Sequence, residues 1–115
     1  MTKSDYLKFM DAAPLEKWRT RMNEGDHNFS DESIQASKNT LISFLEELSS
    51  SKSEAEQRHA FERAVKTFDE LNRKYSSFIE TLERDELGRW FNNVADSIGL
   101  TYKDNDVTWE WRRNW

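Results

Sequence analysis

Cysteine is absent from this sequence of 115 residues, proline occurs once and glycine three times. Without cysteine there is no disulfide framework, no thiol nucleophile and no thiolate zinc site. So little glycine and proline argues against the many tight turns of a β-sandwich and points to long helices. Long apolar runs are missing too. Charged residues make up 34% of the chain, and no stretch approaches the roughly 20 apolar residues of a membrane-spanning helix. The opening residues Met1-Thr2-Lys3-Ser4-Asp5-Tyr6 carry no apolar signal segment, so a cytoplasmic location is expected. Basic residues are outnumbered, 17 against 22 acids, for a net charge of −5. That balance disfavours a nucleic-acid-binding surface.

What is present suffices for a core. Hydrophobic residues are 36% and aromatics 13% of the chain, too many for a disordered segment, and the length suits one domain. Apolar residues recur at helical spacing. Ser4 is a candidate cap for a helix bearing Tyr6, Phe9, Met10 and Ala13. Pro14 should kink that helix or start a new one, through Leu15, Trp18 and Met22, ending at Asn23-Glu24-Gly25-Asp26. After the polar stretch Asp26-His27-Asn28-Phe29, Ser30 caps a helix with Asp31 and Glu32 in its first turn and Ile34, Leu41, Leu45 and Leu48 in phase. Ser53 and Glu56 have capping-box spacing before Phe61, Ala64, Val65, Phe68, Leu71 and Tyr75. Ser77 and Glu80 repeat it before Leu82, Leu87, Trp90, Phe91, Val94 and Ile98, and Gly99 stands where a left-handed helix stop belongs.

The segment from Thr101 to Trp115 reads two ways. Val107, Trp109 and Trp111 alternate as in a strand, whereas Val107, Trp111 and Trp115 lie four apart as on a helix face, with Asp104 or Asp106 as cap. A lone strand has no partner here, so a short C-terminal helix is predicted. The fold class is therefore all-α, a single-domain bundle of four to five helices with a short C-terminal helix or tail. Its expected core is Phe9, Trp18, Ile34, Leu41, Leu45, Phe61, Val65, Phe68, Leu71, Leu82, Leu87, Trp90, Phe91, Val94 and Ile98.

Catalytic signatures are scarce. Glu56 and His59 form one Glu-x-x-His pair, a spacing used in di-iron bundles, but those sites need it twice with two more carboxylates. Here Glu56 already has a capping role. His27 sits in a polar loop and His59 on a charged face, with nothing nearby to recruit either as an acid or base. The run Glu80, Glu83, Asp85, Glu86 contains paired carboxylates, yet Arg84 and Arg89 are interleaved, which suits a salt-bridged surface better than glycosidic chemistry. No phosphate loop or nucleophile elbow occurs. No catalytic, cofactor or metal residue is assigned.

The unusual feature is the crowding of tryptophan at Trp109-Glu110-Trp111-Arg112-Arg113-Asn114-Trp115. Trp and Arg dominate binding hot spots, although Trp111 and Trp115 also suit a tail folded back to plug the bundle. The expected contact set is Glu80, Glu83, Asp85, Glu86, Trp109, Trp111, Arg112, Arg113 and Trp115. The acidity suits a basic protein partner.

Ala64, Thr67, Phe68 and Leu71, the acidic helix from Glu80-Thr81-Leu82-Glu83 to Ala95, the stop Ile98-Gly99-Leu100 and the ending Arg113-Asn114-Trp115 together resemble a family of small all-helical bacterial proteins. The likeness runs from about Leu41 to Trp115 and implies a helical fold; no biochemistry attaches to that family, so no site residue is carried over. In size and acidity the chain is also similar to immunity proteins of bacterial toxin–immunity pairs. The expected function is a non-enzymatic cognate inhibitor of a basic toxin domain, with a homodimeric helical module as the alternative.

Overall fold

The computed structural model describes residues 1–115. Five helices form, α1 (Lys3–Ala12), α2 (Leu15–Asn23), α3 (Asp31–Ser50), α4 (Glu54–Lys74) and α5 (Thr81–Ser97), and the fold is all-α. Pro14 breaks the first pattern rather than kinking it. Its ring holds φ at −75°, and its carbonyl accepts the Trp18 N–H at 3.0 Å, the first bond of α2. The cap of α1 is Thr2, not Ser4. The Thr2 hydroxyl accepts the Asp5 N–H at 3.1 Å and the Asp5 carboxylate accepts the Thr2 N–H at 3.2 Å.

Ser30 caps α3 as expected, with Ser33 supplying the reciprocal bond at 3.0 Å. Ser53 caps α4, but the Glu56 carboxylate turns past it to the Lys52 N–H at 3.2 Å. The second expected box is displaced. Ser76 and Ser77 are both left-handed, with φ of 62° and 54°, because they terminate α4, where Ser77 N–H donates to the Asn72 carbonyl at 2.8 Å. Ser77 therefore lacks the extended backbone of an N-cap. Phe78 and Ile79 are buried behind it, and α5 is capped at Glu80, whose N–H donates to Glu83 Oε1 at 3.1 Å. Gly99, at φ 72°, closes α5 as expected: Leu100 N–H reaches back to the Ala95 carbonyl at 3.0 Å.

The three residues Ser51 to Ser53 turn α3 back into α4, and this long hairpin is the frame of the molecule. α5 seats Phe91 against it, 5.2 Å from Phe44 and 6.2 Å from Phe68 by ring centres. α1 docks where Trp90 Nε1 donates to the Phe9 carbonyl at 2.8 Å. A second aromatic cluster, Trp18, Phe29 and Phe78, joins α2 to the α2–α3 and α4–α5 loops at ring separations of 5.7 to 6.1 Å.

The expected core is buried except at three positions. Leu71 and Ile98 are half-buried, and Leu82 is 54% exposed. The buried stripe of α5 runs Glu83, Leu87, Trp90, Phe91 and Val94, and Leu82 lies one residue off it.

The predicted C-terminal helix does not form. Only one helical turn exists there, with Arg112 N–H donating to the Thr108 carbonyl at 3.0 Å. Asp106 caps that turn through the Thr108 N–H at 2.9 Å and hydroxyl at 2.6 Å. The next amides are drawn elsewhere: Arg113 and Asn114 N–H donate to Asp69 Oδ1 at 3.2 and 3.1 Å instead of to carbonyls a turn back. The helix stops because a side chain of α4 outcompetes its own backbone for these donors.

Candidate protein-contact surface

The segment after Gly99 is irregular yet firmly held. Asp69 and Asn72 lie on the buried stripe of α4, where polar groups need partners. Asp69 takes the two amides just described, and Asn72 Nδ2 donates to the Asn114 carbonyl at 2.8 Å while its Oδ1 accepts the Ile79 N–H at 2.8 Å. On α5, Asn92 accepts the Val107 N–H and donates to the Asn105 carbonyl, both at 2.8 Å. Arg58 of α4 donates to the Thr101 carbonyl at 2.8 Å. Inside the segment, Arg112 bridges Asp106 at 2.9 Å, Thr108 at 3.0 Å and the main-chain oxygen of Trp115 at 2.9 Å. Its guanidinium lies between the rings of Trp109 and Trp115, 5.6 and 5.5 Å from their centres.

The expected contact residues on this segment therefore separate. Trp115 is buried against Phe68, its indole N–H on the Val65 carbonyl at 3.3 Å. Arg112 is held inside the network and Trp111 is half-buried. Trp109 is 61% exposed, and Glu110 and Arg113 beside it are exposed too. This exposed indole is carried by a hydrogen-bonded backbone rather than left on a loose end. On one side of Trp109 lies a groove of about 780 Å³ floored by Val107 and walled by Arg58, Tyr102 and Trp111. Burial and then the hydrogen bond to Asp96 push the Tyr102 phenol above its ordinary pKa.

The acidic run occupies a different place and does different work. Glu86 forms a two-pronged pair with Arg21 of α2, both bonds 2.6 Å, and accepts the Trp18 indole N–H at 3.1 Å. Glu83 is buried and accepts a further Arg21 bond at 2.8 Å. Burial alone would raise the Glu86 carboxyl, but the Arg21 and Trp18 bonds outweigh it and hold the group below the usual carboxylate range. Glu80 accepts from the Asn28 side chain, and Asp85 is exposed. Glu83 and Glu86 thus clamp α2 to α5 and are withdrawn from the outer surface. The run faces the N-terminal helices, and the C-terminal segment lies along α4 and the middle of α5.

Glu56 and His59 do not act together. Glu56 closes the Lys52 amide, and the His59 ring nitrogen lies 2.8 Å from the Arg63 guanidinium. No three His, Asp or Glu side chains converge as metal ligands would. His27 is exposed in the loop between α2 and α3, and no helix is long and apolar enough to cross a membrane. No family model, curated protein or solved structure matches the chain.

Proposed function

We propose that this chain is a protein-binding module, a cognate inhibitor that neutralises a basic bacterial toxin domain in the cytoplasm, and that its contact surface is the C-terminal segment centred on Trp109. The observation that carries this reading is the exposed Trp109 on a backbone fixed by Asp69, Asn72, Asn92 and Arg112. A rigid exposed indole loses little freedom on docking, which is the economy that makes Trp a hot-spot residue. The net charge of −5 favours encounter with a basic partner. Arg113 and Glu110 supply polar groups at the rim, while Glu80 and Asp85 lie on a separate acidic face that contributes steering rather than contact.

Co-expression with the product of the adjacent gene tests this. The neighbour should arrest growth alone and be tolerated beside this chain, with protection lost in Trp109→Ala. If no neighbour product is toxic, or none binds tighter than micromolar, the reading fails. The same exposed indole supports a homodimer as the second reading. Solution mass at two concentrations separates the two: a dimer should dissociate in Trp109→Ala, and a strict monomer in the parent removes it. Deleting residues 105–115 is unsuitable for this purpose, since it would take Val107 and Trp115 out of the core.

A further inference from the structure

We propose that the groove beside Trp109 receives an arginine side chain presented by the partner, packed against the aromatic side chains and carboxylates that line it. The inference rests on the reading of this segment as a contact surface and assigns it a chemistry. Tyr102, Trp109 and Trp111 line one depression with Asp104 and Glu110. Aromatic faces carry partial negative charge and attract cations, and a planar guanidinium stacks on an indole as well as being attracted to it.

The charges in the groove are not equivalent. Asp106 is neutralised by Arg112 at 2.9 Å. Arg58 is committed to the Thr101 carbonyl at 2.8 Å and lies 3.8 Å from Glu54. Asp104, Glu110 and Lys103 remain without an ion-pair partner, two acids to one base, on a chain whose net charge is −5. The fold already shows the mode of binding it would offer a partner, since Arg112 lies over the faces of Trp109 and Trp115. The rim is also set in advance. Asp104 and Asn105 are both left-handed, with φ of 60° and 55°, and Asn92 clasps the turn from α5.

The test uses the full chain and short blocked peptides carrying arginine, its neutral isostere citrulline, or glutamate, followed by the indole N–H resonances in NMR spectra. Trp18, Trp90 and Trp115 donate to internal acceptors and serve as built-in references. The arginine peptide should move the Trp109 and Trp111 signals and leave those three in place. Citrulline should bind at least threefold more weakly, and glutamate should not bind. Trp109→Ala, and separately Asp104→Asn with Glu110→Gln, should each weaken the arginine peptide about threefold to tenfold. Equal shifts from citrulline, stronger shifts from glutamate, or no shift of Trp109 and Trp111 at millimolar peptide would overturn the proposal. A protein partner whose binding needs Trp109 but is indifferent to the two rim substitutions would sink this inference and leave the contact surface standing.

Discussion

Replacing Arg21 by Met asks whether Glu83 and Glu86 hold the molecule together or face a partner. Arg21 lies 2.6 Å from each Glu86 oxygen and 2.8 Å from Glu83. The three side chains are 23%, 12% and 7% exposed respectively. Exposed ion pairs contribute about 0–1 kcal/mol, and orphaning a buried charge costs about 3–5 kcal/mol. Arg21 keeps some water, so the cluster falls between these limits, and its removal also leaves two carboxylates side by side. The expected loss is about 2–3 kcal/mol, or roughly 8–12 °C in Tm for a chain of this size. Urea denaturation followed by circular dichroism measures it. Adding Glu83→Gln and Glu86→Gln to Arg21→Met should recover part of the loss, since no charge is then left unpaired.

The pH dependence has a definite sign. Glu86 titrates lower in the folded chain than in the unfolded one, so its stabilisation is complete above about pH 4.3, the unfolded value, and disappears as pH falls through the folded value. The gap between parent and Arg21→Met should therefore close in acid. A loss under about 0.5 kcal/mol at pH 7, the range of an ordinary surface substitution, would refute the clamp and return both acids to the outer surface.

Four further substitutions test the C-terminal segment and the turn between α4 and α5. Trp115→Ala should cost about 3 kcal/mol in denaturant because it empties a buried site beside Phe68, whereas Trp109→Ala should stay within about 0.5 kcal/mol. Asp69→Ala removes the acceptor of two main-chain amides and should cost about 2 kcal/mol, with faster amide exchange at Arg113 and Asn114 as the local sign. Ser76→Gly should raise stability by about 0.5–1 kcal/mol, since φ of 62° is a strained setting for serine, and a fall in Tm would contradict that reading.

Local chemistry was legible in the sequence, and long-range pairing was not. Ser30 as a cap, Gly99 as a stop and the stripe Phe61, Val65, Phe68 of α4 follow from spacing alone, because each depends on residues within a turn or two. Arg21 and Glu86 are 65 positions apart. Local spacing offers the acidic run only partners such as Arg89, which favour an outward face. Phe78 follows two left-handed serines, a turn that helical periodicity does not reveal. The C-terminal segment departs from its helical spacing for a sharper reason. Its apolar spacing fits a helix, but spacing does not account for where amides find acceptors. The signal was on α4 instead: Asp69 and Asn72 fall on the apolar stripe, and a polar residue there announces a partner. Spacing alone does not say which of the C-terminal tryptophans is exposed; the structure exposes Trp109. Trp115 was open to either reading, and its ring is in the core.

Titration of the toxin-like neighbour into the parent chain and into Trp109→Ala, by calorimetry at one salt concentration, bears most directly on the central claim. A hot-spot indole should weaken Kd at least about thirtyfold while the melting curve stays unchanged. An unchanged Kd would mean that the exposed indole contributes nothing to recognition and that the contact surface lies elsewhere on the molecule.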